Sequence, residues 1–515
     1  MKKGISRRHV LTGAVACMLA TPTLSHARQP RQSYVECLKS IAGPSASSPL
    51  TIDAHCHVFN GRDIPIKDFF QRVLLNSDEY TDIGKIAGFN AAITARSILW
   101  SIRKADKEFT KLDSLFTQLD PSDAACHWYS RRQNGIHKDL PKEKIVEDFA
   151  RFYTQYRTFN AMDLMAIYPD VHLFTPALVD LYSGVGPATS DNVTQLAIAE
   201  RICRLTRGRM HFLAGFDPMR QVLHDRDPSG GYTDQFDLVK RAVDERGFIG
   251  VKLYPPMGFA PIGNAARACP PAVYKILGRA QSTESFRAEY GALIDNVLER
   301  LFCWAEANDV AIMAHAAASN FSNRACATDD PATTDRNEAS DFDTLEAGYY
   351  LGNAAQWGEL LANHKALRLN LAHYDHQDVF LSKKGNEGLT AAAAKLNDVA
   401  RSHDNVYLDL SHFDGIRSLS TQSGLAKLLG KLAGDPVAGR LMYGSDWHML
   451  ARVYGNQYFL QRMRQSIPAP IADGFFGRNA ARFLGLEPGQ ETRKRIEAFY
   501  KKHDMAPPTW MQMLS

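Results

Sequence analysis

The chain has 515 residues, 45% hydrophobic and 23% charged, an ordinary globular composition that fits one large domain with insertions or two to three modest ones. Its mean hydropathy of −0.28, with no apolar run long enough to cross a bilayer as a mature helix, argues against a membrane span. The formal charge of +4 gives no footing for nucleic acid or an anionic membrane, because Lys2, Lys3, Arg7 and Arg8 account for all of it.

Those four residues lie in "MKKGISRRHVLTGAVACMLATPTLSHA", residues 1–27. The segment has a basic start, a mildly apolar middle and a Ser25-His26-Ala27 cleavage pattern. Ser6-Arg7-Arg8 followed by Val10-Leu11 resembles the twin-arginine export signal. Cleavage near Ala27 and a periplasmic location are expected; the alternative is a disordered basic tail. A lipid-anchored Cys17 fits poorly, since "AVAC" departs from that pattern. Residues 28–49, ending in "GPSASSP", read as a linker.

Eight strand-like apolar runs follow: "PLTIDAHCH", "DVHLFTPALVDLY", "MHFLAGFDP", "GFIGVKLYPP", "DVAIMAHAA", "LRLNLAHYD", "NVYLDLSHF" and "RLMYGSDWH". Helix-length amphipathic segments separate most of them, among them residues 192–208, 232–247 and 290–308. Strands alternating with helices mean a parallel sheet, and eight of them point to a (β/α)8 barrel over residues 50–487. A doubly wound open sheet is the alternative, but no G-x-G-x-x-G follows the first strand. About 110 residues separate the first two runs, too many for a normal crossover. A helical insertion is therefore expected over about residues 60–168, with helices in 92–119 and 140–162. Residues 488–515 form a tail containing an amphipathic helix, "ETRKRIEAFYKKH".

Of the 8 Cys, 7 remain after cleavage, and no C-x-x-C pair suggests a zinc ribbon or redox site. Cys269 and Cys326, in Pro/Ala/Asn-rich loops, are candidates for a disulfide or for free thiols.

Barrel active sites lie at the C-terminal ends of the strands. Strand one ends in His55 and His57, whose i, i+2 spacing places both on one face. Strand four carries Lys252, strand five His315, strand six His373 and strand eight Asp446. Each has a bland reading as a core hydrogen bonder, a counter-ion or, for Asp446, a helix cap. Their common placement favours a metal centre.

These motifs resemble the amidohydrolase superfamily, nearest its branch of metal-dependent hydrolases and decarboxylases. "IDAHCHVFN" is similar to the opening strand, "LNLAHYD" to the sixth-strand histidine motif, "RLMYGSDW" to the eighth-strand aspartate motif, and "FFGRNAARFLGL" to the helix that closes such barrels. The resemblance implies that His55, His57 and Asp446 hold one divalent ion, zinc being expected, with His315 a further ligand. It implies that His373 is a second-metal ligand or a general acid/base. "GVKLYPP" resembles a motif whose lysine is carboxylated and bridges two metals, so Lys252 leaves one or two ions open. Asp446 would pass a proton from water to the leaving group and His373 would stabilise an oxyanion. Tyr254, Asp409, His412 and His448 are candidate substrate contacts.

The expected function is hydrolysis of an amide, lactone or ester of a small organic molecule. The alternatives are a mononuclear decarboxylase or hydratase acting on a carboxylated aromatic or oxo-acid, and a catalytically inert periplasmic binding protein. By resemblance, a homodimer is common for such barrels.

Overall fold

The computed structural model describes residues 43–66, 104–118, 151–268, 283–317, 351–374, 391–450 and 456–515, with a few isolated positions between them. The signal segment, most of the linker, the middle of the insertion, Cys269 and Cys326 lie outside the described residues.

All eight expected strands form: β1 (Ile52–Cys56), β2 (Leu173–Pro176), β3 (Leu213–Phe216), β4 (Gly250–Leu253), β5 (Ala311–His315), β6 (Leu369–Ala372), β7 (Val406–Asp409) and β8 (Leu441–Met442). All but the last residue of β5 are fully buried, as parallel strands covered by helices must be. The insertion contributes α1 (Ala105–Gln118) and α2 (Arg157–Ile167). The crossovers contribute α3 (Asn192–Leu205), α4 (Pro218–Arg226), α5 (Gln235–Glu245), α6 (Ala292–Ala307), α7 (Ala354–Leu361), α8 (Ala391–Ser402) and α9 (Leu419–Leu432). Past β8 come α10 (Phe459–Ser466), α11 (Asn479–Leu484) and α12 (Glu491–Lys502). Local sequence sets several starts: Asp191, Asp217, Asp234, Asn353 and Ser418 cap α3, α4, α5, α7 and α9 through their side-chain oxygens.

Strands β3 to β8 pair in sequential order as one parallel sheet, and β1 pairs with β2 as another. Main-chain hydrogen bonds join the two at both seams. Phe174 N–H donates to Arg209 O at 2.8 Å and Leu178 N–H to Leu213 O at 2.9 Å, linking β2 to β3. Ala54 N–H donates to Tyr443 O at 3.0 Å and Asp446 N–H to His55 O at 2.8 Å, linking β1 to the β8 segment. The architecture is an α/β (β/α)8 barrel with a helical insertion after β1.

The insertion departs from the expected helix over 140–162. The helix breaks at Gln155 and Tyr156, and α2 starts at Arg157. The carbonyls on the near side of the break serve the segment after β1 instead. Gly61 N–H donates to Tyr153 O at 2.9 Å, and Asn60 Nδ2 to Gln155 O at 3.1 Å. In return Asn160 Nδ2 donates to Phe59 O at 2.7 Å and Phe152 O at 2.8 Å. Below this clasp Arg157 is buried with two acids. It bonds Asp63 through Nε at 2.7 Å and through Nη2, and Glu108 through Nη1 at 2.9 Å.

At the opposite end of the barrel the C-terminal tail is part of the packing. Tyr500 of α12 lies 2.6 Å from His211 Nε2, and the fully buried Trp510 donates to Gly208 O at 2.9 Å. Cys56, Cys203 and Cys303 are free thiols, and Cys126 is disulfide-bonded. Among the described residues no helix is long and apolar enough to cross a membrane.

Candidate metal centre

The two histidines of "DAHCH" point to one face, as the strand period requires. Their rings are 5.3 Å apart, and both side chains are buried. Each ring has one nitrogen committed to the protein. His57 Nδ1 lies 2.8 Å from Ala177 O, which can only accept, so Nδ1 carries the proton and Nε2 keeps its lone pair. His55 Nδ1 lies 3.1 Å from Asp409 Oδ2, which leaves its Nε2 for the site.

Asp446 completes the set. Its Oδ1 is 3.6 Å from His57 Nε2, and one donor atom each from His55, His57 and Asp446 lies within 4.8 Å of the others. Asp446 Oδ1 is buried without an aligned hydrogen bond, although His448 Nδ1 is 3.1 Å away. A buried carboxylate oxygen left unsatisfied is costly. Two imidazole nitrogens with their far sides anchored and one such oxygen fit a divalent ion.

The electrostatics agree. Burial, then the neighbouring His448, pushes His57 well below the usual imidazole range. Burial, then His55, does the same to His373. Neutral rings are what a cation needs. Burial opposes ionisation of Asp446, but His448, His57 and His55 outweigh it and hold its carboxyl well below the ordinary carboxylate range.

Backbone strain concentrates here. His373, His412 and Asp446 adopt φ of 62°, 55° and 44°, a left-handed region unusual for residues with a Cβ. Each lies just past a strand end, where the turn re-aims its side chain into the barrel mouth. Gly444 makes room for the last turn. A Cβ there would meet His55 Cβ at 2.7 Å and Ser411 Cβ at 3.1 Å.

The remaining candidates divide. Lys252 is buried in β4 with Nζ 3.4 Å from His55 Nε2, and burial lowers its pKa to about 8 against the pull of Asp409 and Asp446. Tyr254 places its hydroxyl 3.5 Å from His57 Nε2. His448 stacks on Phe152 of the insertion at 5.2 Å, and His412 Nδ1 is 4.0 Å from Asp446 Oδ2. His315 stacks on Tyr254 and sits 4.6 Å, ring to ring, from His373. It adjoins the three-residue donor set without joining it. His373 and Asp409 form a second close group with His55.

Asp409, expected as a substrate contact, is fully buried beside His55. Asn370 Nδ2 donates to it at 2.6 Å, and the main-chain N–H groups of His373 and Ser411 do so at 3.2 Å each. With its oxygens so engaged it orients His55 and the His373 turn. Ser411, Asp53, Ser445 and Phe152 also shape the site without having been singled out in the sequence. Asp53 accepts from Ser445 N at 2.8 Å and Ser445 Oγ at 2.6 Å, tying β1 to the Asp446 turn. Ser411 carries a usable signal, since in "LDLSH" it shares the face of Asp409 by alternation.

Residues 233–486, just under half of the chain, match the family model described as Amidohydrolase. This amidohydrolase match begins before β4 and runs through α11, so it takes in Lys252, His315, His373 and Asp446 but not the "DAHCH" strand. No curated protein matches the chain in sequence. Among solved structures it is similar to a hypothesised metal-dependent hydrolase from Lactobacillus casei, at 14% identity, covering 85% of this chain and 96% of that one with a TM-score of 0.41. It is also similar to a zinc-bound amidohydrolase from Burkholderia multivorans, at 14% identity, 63% and 86% coverage and a TM-score of 0.33. A third is 2,6-dihydroxybenzoate decarboxylase from Rhizobium, at 14% identity, 68% and 97% coverage and a TM-score of 0.36.

Proposed function

We propose that this chain is a metal-dependent hydrolase that cleaves an amide, lactone or ester bond of a small organic substrate. The observation that carries the reading is the buried donor set of Asp446 and two histidines whose far nitrogens are anchored. His55, His57 and Asp446 would hold one divalent ion, most simply zinc. When bound, such an ion acidifies water and polarises a carbonyl. Asp446 is ionised and therefore able to take a proton from water and return it to a leaving group. Asp409 and Ala177 O hold the two imidazoles in the required orientation, and Trp447 Nε1 donates to His57 O at 2.6 Å to fix the strand end.

A decarboxylase on a carboxylated substrate is the second reading. Lys252 bears on the choice, because its Nζ faces His55 Nε2 at 3.4 Å: a free amine there suits a single ion, whereas a carboxylated Lys252 would lie beside the histidine that the two donor sets share. Metal content per chain, measured on wild type and Lys252→Ala, tests the site. About one zinc in each supports the mononuclear set, two falling to one or none supports a lysine-bridged pair, and none in wild type rejects both. Lactone, ester and amide panels scored for hydrolysis, against aromatic acids scored for CO2 release, separate the reactions, with Asp446→Asn as the inactive control.

We also propose export to the periplasm with removal of residues 1–27. The disulfide at Cys126 supports an oxidising compartment. Retention of the Arg7→Lys, Arg8→Lys variant in the cytoplasm, against periplasmic wild type, is the expected fractionation result.

A further inference from the structure

The hydroxyl of Ser411 lies 2.9 Å from Nδ1 of His55 and 2.9 Å from Nδ1 of His373. It has one proton and can donate to only one of them. Asp409 decides which. Apart from His55 Nδ1, every group bonded to its carboxylate is a donor: Asn370 Nδ2 and the N–H groups of His373 and Ser411. A carboxylate in that setting accepts, so His55 Nδ1, at 3.1 Å, carries a proton. Ser411 cannot donate to a protonated nitrogen, and its hydrogen turns to His373 Nδ1. A neutral imidazole has one N–H, so that of His373 is on Nε2. In the reverse arrangement two imidazole N–H groups would share the Ser411 oxygen. The hydroxyl hydrogen, in a side chain 3% exposed, would then have no acceptor among the described residues.

We propose that Ser411 is a positioning residue that fixes the tautomer of His373, so that His373 presents Nε2–H as a hydrogen-bond donor and is neither a metal ligand nor a base. The chain Asp409–His55–Ser411–His373 runs through side chains at three strand ends, those of β7, β1 and β6, and relates the histidine of β1 to that of β6. The hydrolase reading enters only in the use made of that donor: an N–H fixed before reaction can stabilise an oxyanion as it develops. The tautomer itself does not depend on an ion.

The test is a two-bond 1H–15N correlation spectrum of deuterated, 15N-histidine-labelled protein, recorded ion-free and after adding one equivalent of zinc. His373 is assigned by the signals lost in His373→Gln. The expected result is the Nε2–H pattern for His373 in both states, replaced by the Nδ1–H or an averaged pattern in Ser411→Ala. Zinc content unchanged in His373→Gln is also expected. An Nδ1–H, averaged or doubly protonated His373 in wild type overturns the proposal, as does an unchanged pattern in Ser411→Ala or zinc lost in His373→Gln. Should Ser411→Ala not fold, the wild-type spectrum and the zinc content of His373→Gln decide. A wild type that takes up no zinc rejects the metal-centre reading, while the ion-free spectrum still decides this one.

Discussion

The main-chain N–H of Asp446 donates to the carbonyl of His55 at 2.8 Å. Two candidate ligands nearly four hundred residues apart are thus joined by the same bond that closes the barrel between β8 and β1. Their separation is therefore a property of the backbone, and flexible side chains contribute little to it. Site geometry and barrel closure should fail together, and a variant that perturbs this seam should show both effects.

Gly444 gives the first prediction. The space that its Cβ would need is occupied by His55 Cβ at 2.7 Å and Ser411 Cβ at 3.1 Å. Overpacking of this kind costs about 1–3 kcal/mol. Gly444→Ala should lower the urea midpoint accordingly and also weaken zinc binding, because the atom displaced belongs to His55. A stability loss with unchanged zinc affinity would show that the seam does not set the ligand geometry.

Asp409 gives the second. It is outside the donor set of His55, His57 and Asp446, yet it orients His55 through Nδ1. Loss of such a supporting carboxylate lowers metal affinity by about 10–100-fold. Asp409→Asn should do so in competition with a chromogenic chelator while the protein stays folded by circular dichroism.

The strands, the barrel and the strand ends that carry the candidate residues were legible because period-2 apolar runs and turn residues are local signals. Asp409 was visible at the end of β7, but its depth was not. Whether an inward side chain lines the mouth or supports it from below depends on the stagger of β7 against its neighbours, which is set by pairing around the whole ring. The helix break at Gln155 and Tyr156 was hidden for a similar reason. The groups that draw the carbonyls of Tyr153 and Gln155 out of the helix are Gly61 and Asn60, some ninety residues earlier. Ser411 was readable by alternation, but its importance appears only when Asp409, His55 and His373 are placed around it.

The third prediction concerns the insertion. Arg157, Asp63 and Glu108 are all buried. Burial works against the Arg157 charge, but Asp63 and Glu108 more than offset it and raise its pKa. Truncation to Arg157→Ala leaves two buried carboxylates without a cation, a change that costs about 3–5 kcal/mol. Limited proteolysis should then cut first within the insertion. A combined Asp63→Asn, Glu108→Gln, Arg157→Met variant, which removes the charges together, should recover part of the loss.

The last prediction is a pH dependence away from the metal centre. His364 lies between two acids of α6, with Nδ1 2.8 Å from Glu306 and Nε2 3.1 Å from Glu299. Burial disfavours its charged form, but the hydrogen bonds to Glu306 and Glu299 outweigh burial and raise its pKa above 6.5. The folded state therefore holds this proton more tightly than the unfolded chain. The stabilisation is fully present below the unfolded pKa, near 6.5, and is lost as pH rises through the higher folded value. The urea midpoint of wild type minus that of His364→Gln, which keeps an amide donor but cannot ionise, should fall from pH 5.5 to 9; the difference removes the opposite slope from buried histidines such as His57 and His373. A constant difference would place the pH dependence elsewhere, and one that grows with pH would contradict the sign.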